Sequence, residues 1–185
     1  MKLEIIIVST RPGRIGDQVG AWITKYAKAH SDFDISVADL NEINLPMFDE
    51  PGHPMKGKYQ NEHTKVWSQR INQADAFVVV TPEYNYTIPP TLVNAIDYLH
   101  HEWKHKAVGF VGYGGTGAVR AIQTEKLLFT NLNVMPIPYA VNLMGVHSPA
   151  VTTFVPEEAH ERAADRMLAE LHLWATALKT LRATA

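Results

Sequence analysis

Short apolar runs and amphipathic stretches alternate from one end of the chain to the other. Leu3 to Ser9 is a β-branched run of the kind carried by a strand buried on both faces. Gly16 to His30 follows as a helix, with Val19, Trp22, Ile23 and Tyr26 at helical spacing. Phe33 to Leu40 reads as a second strand. The stretch after it holds Pro46, Pro51, Gly52, Pro54 and Gly57, which disfavour regular structure, so a long loop is predicted there. A helix is predicted around Glu62 to Gln73 and a third strand over Ala76 to Thr81. Pro89 can open the next helix, where Leu92, Ala95, Ile96 and Leu99 form one apolar face. Ala107 to Gly112 is a fourth strand, about Ala118 to Leu132 a helix, and Ile137 to Leu143 a fifth strand. The last helix begins near Pro156, with Met167, Leu171, Trp174, Leu178 and Leu181 as its expected buried stripe. Strands and helices in this alternation build an α/β three-layer sandwich, a five-stranded parallel sheet doubly wound with helices on both faces. The expected strand order is 2-1-3-4-5, which five-stranded sheets of this class commonly use. With no repeat, low-complexity tract or linker, residues 1–185 are expected to form one domain.

Composition narrows the chemistry. A formal net charge of −2 offers neither the basic excess that attracts nucleic acid nor the acidic excess of a highly charged redox carrier. There is no cysteine, which excludes disulfides, thiolate metal sites and thiol nucleophiles, so any redox chemistry must come from a bound cofactor. No apolar run approaches the roughly 18 residues of a membrane span. Met1-Lys2-Leu3-Glu4 leads directly into the first strand without a cleavage pattern, and a cytoplasmic protein is expected. The histidines suggest no metal site: His100, His101 and His105 around Trp103 lack both a ligand spacing and a carboxylate cluster.

In an open parallel sheet, ligands bind beyond the carboxyl ends of the strands. Three loops there carry unusual residues. Ser9-Thr10-Arg11-Pro12-Gly13-Arg14-Ile15-Gly16 brings hydroxyls, guanidinium groups and glycines to a helix N-terminus, a place that favours an anion. Without the glycine-lysine-serine/threonine ending it is no triphosphate loop, and one phosphate monoester fits better. Thr81-Pro82-Glu83-Tyr84-Asn85-Tyr86 crowds aromatics, an amide and a carboxylate at the end of the third strand, able to bond and cover a flat heteroaromatic ring. Gly112-Tyr113-Gly114-Gly115-Thr116-Gly117 implies close backbone approach or tight turns that require positive φ. By letter it matches the dinucleotide fingerprint, but it lies in the wrong unit of the fold. No Asp or Glu occurs between Glu125 and Glu157 to take a ribose. Its amides are better suited to a ring edge. Phosphate, aromatic and glycine loops at one sheet edge suit a flavin mononucleotide.

The same residues resemble the NADPH-dependent FMN reductase family, which is flavodoxin-like. The resemblance runs through Ser9-Thr10-Arg11, Leu45-Pro46 and Trp67-Ser68. It is strongest at Thr81-Pro82-Glu83-Tyr84-Asn85 with Asn94-Ala95-Ile96-Asp97-Tyr98-Leu99, and continues in Gly114-Gly115-Thr116-Gly117-Ala118-Val119-Arg120-Ala121. It implies that Ser9 and Arg11, with amides near Gln18, hold the FMN phosphate. It implies that Pro82, Glu83, Tyr84 and Asn85 lie along the ribityl and isoalloxazine, and that Tyr113, Gly114 and Gly115 meet the pyrimidine end. Family members use NAD(P)H to reduce free flavins, quinones, azo dyes or chromate, usually as dimers or dimers of dimers. The sequence departs from the family pattern at Tyr86-Thr87, Val93 and Ala118, where glycine, lysine and glycine are common; these changes bear on substrate access.

Such a reductase needs no catalytic side chain of its own, since the chemistry belongs to the cofactor. NAD(P)H and a small-molecule acceptor would use one open face in turn, a ping-pong scheme. A homodimer is expected through the helix from Pro89 to Leu99 and the aromatic surface of Tyr98, His100, His101 and Trp103 at its end, with the partner helping to wall the flavin site. The alternatives are an electron-carrier flavodoxin, disfavoured by the charge of −2, and an FMN-loaded redox sensor that docks a partner protein. A phosphoacceptor receiver would need acidic residues where Ser9 and Thr81 stand.

Overall fold

A computed structural model describes residues 1–147 and 151–184. Its strands are β1 (Lys2–Ile7), β2 (Asp34–Asp39), β3 (Ala76–Pro82), β4 (Ala107–Gly114) and β5 (Met135–Met144). The helices are α1 (Gly16–His30), α2 (Leu40–Ile43), α3 (Glu62–Gln73), α4 (Pro90–Asp97), α5 (Val119–Asn131) and α6 (Glu158–Thr184). The sheet has the order β2-β1-β3-β4-β5, all pairs parallel. This is the flavodoxin-like arrangement expected from the alternation.

Each strand's two faces feed two separate cores, because successive side chains point to opposite sides. Leu3, Ile5 and Ile7 of β1 join Val78 and Val80 of β3 beneath α1 and α6. Ile6 and Val8 join Phe77, Val79 and Phe110 beneath α3, α4 and α5. All seven residues of β3 are buried, as its central place in the sheet requires. The β4–β5 register slips between Val108 and Phe110, which pair with Pro136 and Ala140. Pro136 and Pro138 have no N–H to give the ladder, and an edge strand tolerates that.

The structure differs from the sequence expectations at several places. The loop after β2 contains α2 and a 3₁₀ turn over Pro54–Lys56. Asp39 nucleates α2 by accepting from the Asn41 N–H at 2.9 Å. The loop is also pinned to α4: Asn94 donates to the Pro46 carbonyl at 2.7 Å and accepts from the Phe48 N–H at 2.8 Å. Tyr98 donates to Asp49 at 2.9 Å. In α6, Met167 and Leu171 are buried as expected, but Trp174 and Leu178 are only partly so and Leu181 is 46% exposed. Leu168 and Ala175 complete the buried face instead.

A larger correction concerns Tyr98 and Trp103. Both are completely buried, so they offer no aromatic surface to a second copy. Trp103 packs edge-on to Trp67 at 6.2 Å and Phe129 at 5.9 Å, and tilts against Phe77 at 5.1 Å. Its indole N–H donates to the Ile96 carbonyl at 3.3 Å, and that of Trp67 to Ala95 at 2.8 Å. With their polar atoms satisfied, both indoles can lie in the core.

Candidate functional site

The parallel sheet brings the ends of β1, β3 and β4 to one edge, with the N-termini of α1 and α5 beside them. Between these ends lies a cavity of about 160 Å³ lined by Arg11, Arg14, Ile15, Pro82, Glu83, Tyr84, Tyr113, Gly114, Gly115 and His147. Seven of the residues expected from the sequence therefore meet around one space. Of the other three, Ser9 is buried beside it. Asn85 stands exposed at the tip of the β3 hairpin, and Gln18 points elsewhere.

The first loop is organised by close approach. A Cβ on Gly16 would fall 2.3 Å from both the Ser9 Oγ and the Tyr113 hydroxyl, so only glycine lets these two oxygens converge on the start of α1. Both oxygens are buried, and neither has a well-formed hydrogen bond among the described residues. Burial pushes the Tyr113 phenol upward in pKa, with the Ser9 hydroxyl opposing. Helix α1 starts at Ile15 without a side-chain cap. Buried polar atoms and helix N–H groups in native proteins normally find partners, so this set suits an anion.

The two arginines of this loop have different work. Arg14 donates to both Asp39 oxygens, at 2.7 and 2.5 Å, and also to the Ser9 carbonyl. It ties the β1 loop to the end of β2, and Asp39 raises its pKa further. Arg11 lies exposed on the cavity rim. Gln18 uses its side chain to donate to the Thr152 carbonyl at 3.1 Å and to accept from the Phe154 N–H at 2.8 Å. Its own N–H is bonded to Asp17 at 2.8 Å and Ile15 at 3.1 Å.

The second loop is a two-residue hairpin. Tyr84 and Thr87 exchange backbone hydrogen bonds at 3.1 and 3.0 Å, with Asn85 at φ 49° and Tyr86 at φ 67°. The Glu83 carboxylate accepts from the Arg120 N–H at 3.1 Å and pairs with the Arg120 guanidinium. These bonds offset its desolvation and leave its pKa lowered. Glu83 thus works chiefly between loops, while Pro82 and Tyr84 line the cavity.

The glycine loop folds back on its own strand. Gly117 donates to the Gly114 carbonyl at 3.1 Å, and Asn142 of β5 donates to the Gly117 carbonyl at 2.8 Å. A Cβ on Gly112 would stand 2.4 Å from that carbonyl, which explains this glycine. Gly114 and Gly115 have open space where a side chain would project, so their backbone is accessible from the cavity. The Tyr113 side chain, expected at this end, reaches back to Ser9.

Arg14 and Ile15, part of the expected anion loop but not singled out in it, also line the cavity, and so does His147, which was not expected. His147 follows β5 behind a single positive-φ glycine, Gly145, which by itself gave no signal of a site. Behind the site, Glu125 of α5 is completely buried and accepts from Thr81 Oγ1 at 2.6 Å. Burial pushes its pKa up to about 8.

The site chemistry fits FMN: buried hydroxyls without well-formed hydrogen bonds and a helix start without a side-chain cap for one phosphate, and open glycine backbone with a tyrosine wall for a flat ring. Residues 1–147 match the family model described as NADPH-dependent FMN reductase. An NAD(P)H-dependent FMN reductase of Schizosaccharomyces pombe is 38% identical over 160 residues, 81% of this chain and 80% of that protein. A quinone reductase of Escherichia coli is 33% identical over 102 residues, 53% of this chain and 50% of that protein. Among solved structures, FerB, a flavoenzyme NAD(P)H:(acceptor) oxidoreductase from Paracoccus denitrificans, superposes with a TM-score of 0.66 at 18% identity, covering 97% of each chain. A sheet edge whose chemistry suits a phosphate and a flat ring stands beside a family match over most of the sequence, and the chain belongs to the NADPH-dependent FMN reductase family, oxidoreductases that use FMN and NAD(P)H.

Proposed function

We propose that residues 1–185 act as one FMN-binding domain that takes electrons from NAD(P)H and passes them to a quinone, a free flavin, an azo compound or a metal oxyanion. The observation that carries this reading is the pair of buried, poorly bonded hydroxyls of Ser9 and Tyr113 at the uncapped start of α1. Ser9 would donate to the phosphate, Arg11 would offer its guanidinium, and the amides before Gln18 would supply the helix end. Pro82, Glu83, Tyr84 and Asn85 border the ribityl and ring, the Glu83 carboxylate acting through Arg120. Backbone of Tyr113, Gly114 and Gly115 donates toward the pyrimidine edge, where N–H groups stabilise developing negative charge. When bound, FMN would supply the two-electron redox chemistry between NAD(P)H and the acceptor. In this reading the two substrates use the cleft in turn.

A homodimer, or a dimer of such dimers, also belongs to this reading, through the end of α4 and His100 but without the buried Tyr98 and Trp103. Its support is a groove of about 500 Å³ lined by Phe48, Pro51, Pro54, Ile96, Leu128 and Leu132. Exposed Met47, Met55 and Leu127 add apolar surface on the segments that form it. No helix among the described residues is long and apolar enough to cross a membrane. A cytoplasmic place is proposed on the need for NAD(P)H.

Initial rates with NADPH and a quinone test the scheme. Parallel double-reciprocal lines are expected, with each substrate competing against the other at high concentration. Intersecting lines would mean that both bind together and would refute the shared site.

A further inference from the structure

Arg120 lies at the first turn of α5, and its contacts reach both loops that border the cleft. Its guanidinium pairs with Glu83, whose side chain is only 8% exposed. It also donates to Thr116 Oγ1 at 3.0 Å. The same guanidinium carbon lies 3.6 Å from the centre of the Tyr86 ring, well within the range of a cation–π contact. Glu83 and Tyr86 belong to the β3 hairpin; Thr116 belongs to the glycine loop. The Glu83 carboxylate additionally accepts from the Arg120 backbone N–H, so it holds the end of α5 through two groups.

This arrangement explains an awkward piece of backbone. Asn85 and Tyr86 are consecutive non-glycine residues in the left-handed region. Asparagine visits that region readily; tyrosine does not. Tyr86 is 71% exposed, so core packing does not hold it there. The Tyr84–Thr87 backbone hydrogen bonds and the stack on Arg120 are the contacts that hold it. If Tyr86 moved, the Tyr84–Thr87 exchange of hydrogen bonds that shapes the hairpin would be strained, and the backbone facing the cavity would move with it.

We propose that Arg120 is a positioning residue for the flavin: by joining Glu83, Tyr86 and Thr116 it fixes the separation of the hairpin and the glycine loop, and so the aim of their backbone groups at the ring. The proposal rests on FMN binding in this cleft. A guanidinium suits the task because one planar group can bond to a carboxylate at its edge and stack through its face, which an ammonium cannot do.

The experiment measures FMN dissociation constants by flavin fluorescence and midpoint potentials by redox titration. The variants are Arg120→Ala, Arg120→Lys, Glu83→Gln and the double variant Arg120→Ala with Glu83→Gln, with Arg11→Ala as a control. Arg120→Ala is expected to weaken FMN about fivefold or more and to shift the potential. Glu83→Gln should act in the same direction. The double variant should be no worse than the more damaging single one, because both break one clamp. Arg120→Lys should recover affinity only in part. An unchanged dissociation constant and potential in Arg120→Ala, with Arg11→Ala weakened, would overturn the clamp while leaving the cleft as the flavin site. If neither variant weakens FMN, the cleft assignment falls and takes the clamp with it. A raised KM for NAD(P)H with no change in FMN affinity would assign Arg120 to the co-substrate and equally overturn the proposal, as would strict additivity of the double variant.

Discussion

Two arginines three positions apart are equivalent in composition and unlike in place. Arg14 is held between Asp39 and the Ser9 carbonyl, with its side chain only 14% exposed. Losing it would leave the Asp39 carboxylate buried without its partner, a cost to stability before any cost to binding. Arg11 stays on the cavity rim, where a phosphate can meet it. Arg11→Ala is therefore expected to weaken FMN by about 1.5–3 kcal/mol, the range for hydrogen bonds to charged groups. Titration of apoprotein with FMN, followed by flavin fluorescence, reads this directly. An unchanged dissociation constant would leave Arg11 as a surface charge. That one of these residues suits a phosphate was visible in the order of the amino acids; that Arg14 was already engaged was not, because Asp39 comes from another strand.

Helix α5 carries a different kind of hidden feature. Its inner face presents Ala121, Ile122 and Phe129 to the sheet, as an amphipathic helix should, but Glu125 lies among them. One oxygen accepts from Thr81; the other has no partner among the described residues. Burial, opposed only by the Thr81 hydroxyl, raises the carboxyl pKa to about 8 from its ordinary value of 4.5. The folded protein therefore keeps a proton that the unfolded chain gives up across this interval. Unfolding releases that proton, so Glu125 favours the fold fully below pH 4.5, and its contribution is lost as pH rises through about 8. Glu125→Gln removes the titration. Its stability relative to the parent should rise with pH, by on the order of 1 kcal/mol per unit within the interval. Urea unfolding of both proteins at several pH values checks this, and a difference that does not vary with pH would show that Glu125 is not held neutral. A single carboxylate at a helical position reads from sequence as an exposed residue, and only the packing of α5 against β3 contradicts that.

Across the whole molecule, an aromatic series of Trp67, Trp103, Phe77, Phe129 and Phe110 joins α3, α5 and the sheet on the side of the second core. Trp103→Ala is expected to destabilise the protomer by about 3–5 kcal/mol, as truncation of a buried aromatic does, measured by urea denaturation. A loss below about 1 kcal/mol, together with a change in oligomeric state by light scattering, would return Trp103 to an interface. The fold as a whole was legible in the sequence, because strands buried on both faces and helices buried on one carry different periodicities. The strand order is the one five-stranded sheets of this class commonly use, and α3 spans the residues expected of it. The three chemical loops were legible too, since hydroxyl, guanidinium and glycine at strand ends have few other uses. What the sequence could not show were the partners that meet across elements: Arg14 with Asp39, Tyr113 with Ser9 over Gly16, and Arg120 with both Glu83 and Tyr86. Periodicity reports whether a side chain faces inward along its own element. Which atoms it meets there depends on how separate elements pack, and tertiary structure alone decides that.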